Sequence, residues 1–413
     1  MIRVPRVLPL VLLSFVLGTA AAVSTPPPPS APAAEAAPPA AAPGGTSPFN
    51  ALVDKQPIPA APQVNARSWI LLDHNSGKVL AENRPDEHSE PASLTKLMSA
   101  YVVFHALEAG RLKLTDPVTI SERAWRTEGS RSFVQVGTQI PVDTLIKGMI
   151  VQSGNDATLA LAEKVGGTEA VFVQLMNEYA QRLGMANTHF VNSEGLPAAG
   201  QYSSARDIAT LANALISEFP QYYPLFSLRE FVWNNIHQEN RNGLLGKDPT
   251  VDGLKTGHTD SAGYCLASSA NRNGMRLVSV VMGAPSVKAR EEASAALLNY
   301  GFGFYETIRI KSAHDTVLKP RIYLSAAEYA PVGVVNAVYV TVGRGQSASL
   351  HTSARLAKPP LRAPLSDGAT VGEFSVTDAS GAVLARAPLV TLGAVDSGSL
   401  WTRLSDSVSL WFK

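Results

Sequence analysis

The period of the hydrophobic pattern changes several times along the chain, and each change marks an element. An apolar run over residues 7–17 gives way to a stretch of Ala, Pro, Ser and Thr from Val23 to about Gly45, in which no period can be read. Strand-like sequence then begins near Ala66. Ser68-Trp69-Ile70-Leu71-Leu72 reads as a strand, Asn75-Ser76-Gly77 as a turn and Lys78-Val79-Leu80-Ala81-Glu82 as a returning strand, which together make a hairpin. The period lengthens at Leu94, Leu97, Met98, Tyr101, Val102 and Phe104, which recur at helical spacing before a stop signal at Gly110. Helical patterns return over residues 157–165, 168–183 (closed by Gly184), 203–219 and 287–300. Strands are expected over 263–269 and 275–283, around a turn at Asn271-Arg272-Asn273-Gly274. Strands at both ends of a helical middle predict one mixed α/β domain, an antiparallel sheet with flanking helices.

Beyond Ile308 the helical period disappears. Residues 332–342 are β-branched and largely alternating, residues 371–377 lead into the turn Asp378-Ala379-Ser380-Gly381, and residues 382–392 return. This predicts a small all-β domain. The expected organisation is a leader over 1–22, an Ala/Pro-rich tether over 23–64, the α/β domain over 65–308, the β-rich domain over 309–398 and a tail helix over 399–413.

Composition narrows the function classes. The net charge of +1 leaves no electrostatic footprint for nucleic acid. Arg3 and Arg6 ahead of the apolar run, with Ala20-Ala21-Ala22 after it, have the architecture of a secretory signal peptide; a run this short, broken by Pro9, is poorly suited to a membrane anchor. The single cysteine, Cys265, excludes an intramolecular disulfide and lies far from the cleavage region, which argues against a lipoprotein. No His/Cys cluster has metal-ligand spacing, so neither a metal nor another cofactor is expected.

Candidate chemistry centres on Ser93 and Lys96, three apart and therefore on one helical face. An amine beside a hydroxyl is what an unactivated Ser needs to become a nucleophile, and a helix N-terminus favours developing negative charge. Alone, a Ser-x-x-Lys occurs roughly once per chain of this size by chance. Two further motifs raise its specificity: Ser153-Gly154-Asn155-Asp156, at the start of a helix, and Lys255-Thr256-Gly257-His258-Thr259, ahead of a strand. Ser-x-x-Lys, Ser-x-Asn and Lys-Thr-Gly in this order mark penicillin-binding proteins and serine β-lactamases. With Asn240-Arg241-Asn242 and Val251-Asp252-Gly253, the chain closely resembles the D-alanyl-D-alanine carboxypeptidases, low-molecular-mass penicillin-binding proteins with a C-terminal β domain and a membrane-associating tail. The resemblance runs from about Asn65 to the end. It departs at Cys265, where a polar residue such as Asn is expected in the family's strand; Cys265 reads as a small buried side chain.

The resemblance implies that Ser93 attacks the carbonyl of the penultimate D-Ala of a peptidoglycan stem peptide, that the terminal D-Ala leaves, and that water hydrolyses the acyl-enzyme. It equally implies acylation by β-lactam antibiotics. Lys96 would accept the Ser93 proton if neutral, which burial and the second cation, Lys255, would favour. Ser153 would relay a proton to the departing amine, and Asn155 would bond Lys96 and the substrate amide. Lys255 and the Thr256 hydroxyl would hold the terminal carboxylate, while Gly257 leaves room for substrate along the strand edge. The backbone N–H groups of Ser93 and His258 would form the oxyanion hole, worth about 3–4 kcal/mol per donor. The His258 side chain as a triad base is the alternative to that backbone role. Arg241 either helps the carboxylate site or serves a structural salt bridge, and Arg206 and Asp207 read as structural first-turn residues.

Competing activities share the motifs. A β-lactamase of this motif set needs a Glu to activate the deacylating water, and no convincing Glu-x-x-x-Asn segment lies between Ser153 and Lys255. A DD-endopeptidase acting on crosslinks is chemically closer. A non-catalytic peptidoglycan-binding scaffold is opposed by the intact Ser93, Lys96, Ser153 and Lys255. In the tail, Leu400, Trp401, Leu404, Val408, Trp411 and Phe412 fall on one helical arc, opposite Thr402, Arg403, Ser405, Asp406, Ser409 and Lys413. That arc predicts weak, reversible contact with the outer face of the inner membrane of a periplasmic protein. The alternative is a helix docked on the β domain through the same apolar face.

Overall fold

The computed structural model describes residues 57–411. The leader, most of the tether, and Phe412 and Lys413 lie outside the described residues.

The expected hairpin forms from β1 (Ser68–Asp73) and β2 (Val79–Asn83), paired antiparallel. The sheet continues through β3 (Val251–Thr259), β4 (Gly263–Arg272) and β5 (Met275–Ala284), in the spatial order β2-β1-β5-β4-β3. Strand alternation separates two cores. Ile70, Leu72, Cys265, Ala267, Val278, Val280 and Met282 face the helical layer. Trp69, Leu71, Leu266, Leu277 and Val281 face the other way.

The helical layer comprises α1 (Thr95–Glu108), α2 (Asn155–Gly166), α3 (Glu169–Arg182) and α4 (Ala205–Glu218). Helix α5 (Val287–Phe304) covers the opposite face with Ala293, Leu297 and Leu298. Three of these helices start on hydroxyl caps: Thr168 accepts from Val171, Ser204 from Asp207 and Ser286 from Ala289. Those caps explain why the hydrophobic period located the helices to within a few residues, since each cap supplies a bond that a free N–H would otherwise lack.

Helix α5 leads directly into β6 (Tyr305–Lys311), which crosses the expected boundary at 308 and pairs with β7 (Val338–Gly343). The β-rich part holds a second five-stranded sheet, ordered Thr316–Leu318, Val332–Gly333, β10 (Val383–Thr391), β9 (Thr370–Thr377) and β8 (His351–Leu356). The run 332–342, which reads as one strand, is two. Val332–Gly333 belongs to the five-stranded sheet and β7 to the pair with β6, with Val335, Asn336 and Ala337 between them. Apolar alternation continues across the break because Val332, Val334, Val338 and Val340 enter one core.

The two parts meet through polar groups. Thr307 donates to buried Asp73 at 2.7 Å and contacts the Thr341 hydroxyl at 2.9 Å, Ser76 contacts Thr341 at 2.6 Å, and Lys78 donates to the Thr341 carbonyl at 2.9 Å. The tail forms α6 (Leu400–Trp411).

Candidate active site

Ser93 lies in a tight turn, Ala92–Leu94, closed by the Leu94 N–H donating to the Pro91 carbonyl at 3.0 Å, and α1 continues from Thr95. Ala92 takes a left-handed backbone, φ 47°, which an alanine adopts only at a cost of about 1–3 kcal/mol when its surroundings enforce it. Gly195 and Gly257 supply part of that enforcement. A side chain on Gly195 would come within 1.9 Å of the Ala92 carbonyl oxygen, and one on Gly257 within 3.1 Å of the Pro91 oxygen. The space at Gly257 therefore admits the Ser93 turn.

Lys96, only 1 % exposed, places its Nζ 3.0 Å from Ser93 Oγ, 2.7 Å from Asn155 Oδ1 and 2.6 Å from the Glu194 carbonyl oxygen. Asn155 donates its Nδ2 to the Glu128 carbonyl at 2.6 Å, which fixes Oδ1 as the end facing Lys96. The two strict acceptors around Nζ take the two N–H bonds of a neutral amine, and its lone pair is then left for the Ser93 hydroxyl. Burial is the main reason the Lys96 pKa falls to about 7; Arg241 lowers it further, while Glu194 and Asp156 oppose the fall. Lys255, the expected second cation, and Lys96 repel each other, as the effect of the Lys96 charge on the Lys255 pKa shows, and Arg241 adds to that repulsion.

Ser153 closes a turn ahead of α2 with a left-handed backbone, φ 64°, and its buried Oγ has no hydrogen-bond partner among the described residues. The loop opposite is tied to α2: the Asn155 N–H donates to the Ser130 carbonyl at 2.7 Å. Buried Asp156 accepts from the N–H groups of Ser132 and Val134 at 2.7 and 3.2 Å. Asn155 bonds Lys96 through Oδ1, as expected, and Glu128 through Nδ2.

The Lys-Thr-Gly motif, expected ahead of a strand, lies inside β3, the edge strand of the sheet. Lys255 is buried, with Nζ 3.1 Å from the Thr256 carbonyl oxygen. Its pKa lies well below the ordinary value, through burial and then through the charges of Lys96, Arg241 and Arg290. Ser93, Ser130, Ser153, Arg241, Thr256, Gly257, His258, Tyr264, Val287 and Arg290 line one cleft of about 440 Å³. The exposed His258 ring packs against Tyr264 with the two rings tilted by 32° and their centroids 4.1 Å apart. Arg290 braces the cleft floor, donating to the carbonyls of Gly257, Cys265 and Arg241 at 3.3–3.4 Å. Cys265 is fully buried, and burial raises its thiol pKa to about 11.

The structure thus brings together eight of the nine expected residues at the cleft or directly on Lys96, with Lys255 beneath the lining. Sequence reading missed Ser130, Tyr264, Arg290 and Glu194. Nothing in their local sequence marks them, since each acts through the fold. Arg206 and Asp207 are structural: Arg206 pairs with Asp86 and Glu82, and Asp207 accepts from Asn187 and Thr188.

A nucleophile turn, a buried lysine and a cationic edge strand between two helical layers define the penicillin-binding, transpeptidase-like class of fold. The chain belongs to the D-alanyl-D-alanine carboxypeptidase family, whose profile matches residues 55–286. A profile for the C-terminal domain of penicillin-binding protein 5 matches residues 305–397. It is 43% identical over 366 residues to the D-alanyl-D-alanine carboxypeptidase DacA of Escherichia coli (strain K12), covering 87% of this chain and 90% of that one. Among solved structures it resembles penicillin-binding protein 5 from Haemophilus influenzae, with a TM-score of 0.77 and 40% identity over 82% of this chain and 99% of that one. The ampicillin-bound form of penicillin-binding protein D2 from Listeria monocytogenes matches with a TM-score of 0.55 and 30% identity, over 59% of this chain and all of that one (100%).

Proposed function

We propose that this protein is a serine D-Ala-D-Ala carboxypeptidase that trims peptidoglycan stem peptides, with Ser93 as nucleophile and Lys96 as its base. The observation that carries the reading is Lys96 Nζ, buried and held by two acceptors 3.0 Å from Ser93 Oγ. As the Ser93 oxygen bonds to the penultimate D-Ala carbonyl carbon, its proton passes to Nζ. The carbonyl oxygen gains charge opposite the backbone N–H groups of Ser93 and His258. Collapse expels the terminal D-Ala amine, protonated through the Ser153 hydroxyl, whose buried oxygen has no partner among the described residues to compete for it. Water then attacks the acyl-enzyme, with proton transfer reversed. A penicillin enters the same sequence and stops at the acyl stage.

Lys255, Arg241 and Thr256 are assigned to the substrate carboxylate. Burial first and then the crowding of Lys96, Arg241 and Arg290 depress the Lys255 pKa, and an arriving carboxylate relieves that repulsion. We take 65–308 as the catalytic domain, 309–398 as the β-rich domain and 399–413 as a tail. Export by residues 1–22 would put the protein in the periplasm. Helix α6 supports weak attachment to the outer face of the inner membrane: Leu400, Trp401, Leu404, Val408 and Trp411 are all more than half exposed, so the docked-helix alternative does not describe how this face is used.

The test combines a fluorescent penicillin with D-Ala release from a soluble pentapeptide ending in D-Ala-D-Ala. Stable labelling with D-Ala release is expected. Rapid loss of label would indicate a β-lactamase, cleavage confined to crosslinked dimers an endopeptidase, and no labelling a scaffold.

A further inference from the structure

Behind Lys96 lies a pair of buried carboxyl groups that the mechanism above does not use. Glu169 opens α3 and Glu194 precedes Gly195; they are 7 % and 6 % exposed. The hydroxyl of Ser193, itself fully buried, stands between them, 3.0 Å from Glu169 Oε1 and 2.8 Å from Glu194 Oε2. A hydroxyl carries one proton and can donate to only one carboxylate. Both contacts are hydrogen bonds only if the other carboxyl donates, so the geometry requires a proton on the pair. Glu169 is the ionised member, because it also accepts the Ser193 N–H at 3.0 Å and pairs with Arg123 from the short helix Glu122–Arg126. The proton therefore sits on Glu194.

The same segment grips α1 at two successive positions on one face. The Ser193 carbonyl accepts from Ser99 Oγ at 2.5 Å, and the Glu194 carbonyl from Lys96 Nζ at 2.6 Å. Neutral Lys96 with protonated Glu194 holds as many protons as charged Lys96 with ionised Glu194. The Ser193 bridge favours the first arrangement, the one in which Lys96 can act as a base.

We propose that Glu194 is a positioning residue which, by sharing one proton with Glu169 through Ser193, keeps Lys96 neutral and sets the pH window in which Ser93 is acylated. This rests on the reading of Lys96 as base. Burial and the adjacent Glu169 charge both raise the Glu194 pKa, and Lys96 opposes them. The bonds from Ser193 and the charge of Arg123 hold Glu169 below its ordinary value, against burial. The remaining charged groups act on Lys96: Arg241 from the cleft rim, Lys255 from β3, and Asp156 from α2 with Arg131 3.9 Å away.

The sign can be read from two variants. Glu194→Gln keeps the neutral side chain that the shared proton gives Glu194, so the acid limb of the penicillin acylation rate should stay where the parent has it. Glu169→Gln removes the charge that keeps Glu194 protonated. Glu194 then ionises more readily, and the same limb should move up. A limb that stays put in Glu169→Gln, as loss of packing alone would leave it, would overturn the proposal, and so would one that moves down in Glu194→Gln, since Glu194 would then be ionised in the parent. Lys96→Arg separates the two readings: if it acylates like the parent, Lys96 is not the base, whereas an inert Lys96→Arg with an unmoved limb in Glu169→Gln defeats only the role of Glu194. Should Glu194→Gln fail to fold, infrared titration of the unmodified protein decides. One carboxylic-acid band should persist above about pH 6, where ordinary glutamates are ionised, and its absence would refute the shared proton.

Discussion

Lys255 and Arg241 carry the same charge but stand differently to the cleft, one buried beneath its lining and the other exposed at its rim. The buried one loses more if its partner is missing, because it cannot turn to water. Lys255→Gln should lower kcat/KM for D-Ala-D-Ala peptides by about 10- to 100-fold, the range of a charged hydrogen bond, while hardly affecting analogues with an amidated C-terminus. Equal losses on both substrates would remove Lys255 as carboxylate anchor. Gly195 has a φ of 88° and abuts the Ala92 carbonyl, so Gly195→Ala combines backbone strain with a clash. A destabilisation of at least about 1–3 kcal/mol, with slowed acylation, should follow; a parental melting temperature and acylation rate would show that the Ser93 turn does not depend on this contact. Ser93, Lys96, Ser153 and Lys255 were legible because their spacing and order are local signals. Glu169 and Glu194 were not, since only the meeting of α3 with the loop before Gly195 makes them a pair.

Helix α6 shows that the apolar arc of an amphipathic helix need not be its docked side. Its polar side is the docked one: Asp406, 6 % exposed, accepts from the Leu324 N–H at 2.6 Å and from Arg321 at 3.2 Å. A helix held this way presents its Trp and Leu side chains outward on a preformed surface, and the ordering cost of binding lipid is reduced. The protein with its tail should partition partly into lipid vesicles in a flotation assay, and one ending at Gly398 should remain in solution. Equal partitioning of both would exclude the tail as the contact. Elsewhere, capped helices and tight hairpins were legible. The span of β3 was not, because Gly253 and Gly257 interrupt the alternation that marks a strand, and close packing on the Ser93 turn, which no periodicity records, is what Gly257 permits.

Across the molecule, the catalytic and β-rich parts are joined by polar bonds among Asp73, Ser76, Lys78, Thr307 and Thr341, while β6 carries Tyr305 into the apolar cluster under α5 and Ile308 against that of the β-rich part. The α/β and all-β classes of the two parts followed from periodicity. Their joint did not, because single Thr and Ser side chains carry no pattern. The central claim concerns one bond. After incubation with benzylpenicillin, peptide mapping by mass spectrometry should find the penicilloyl adduct on Ser93 alone, and a folded Ser93→Ala protein should carry none. An adduct on any other residue, or persistent acylation of Ser93→Ala, would contradict the account.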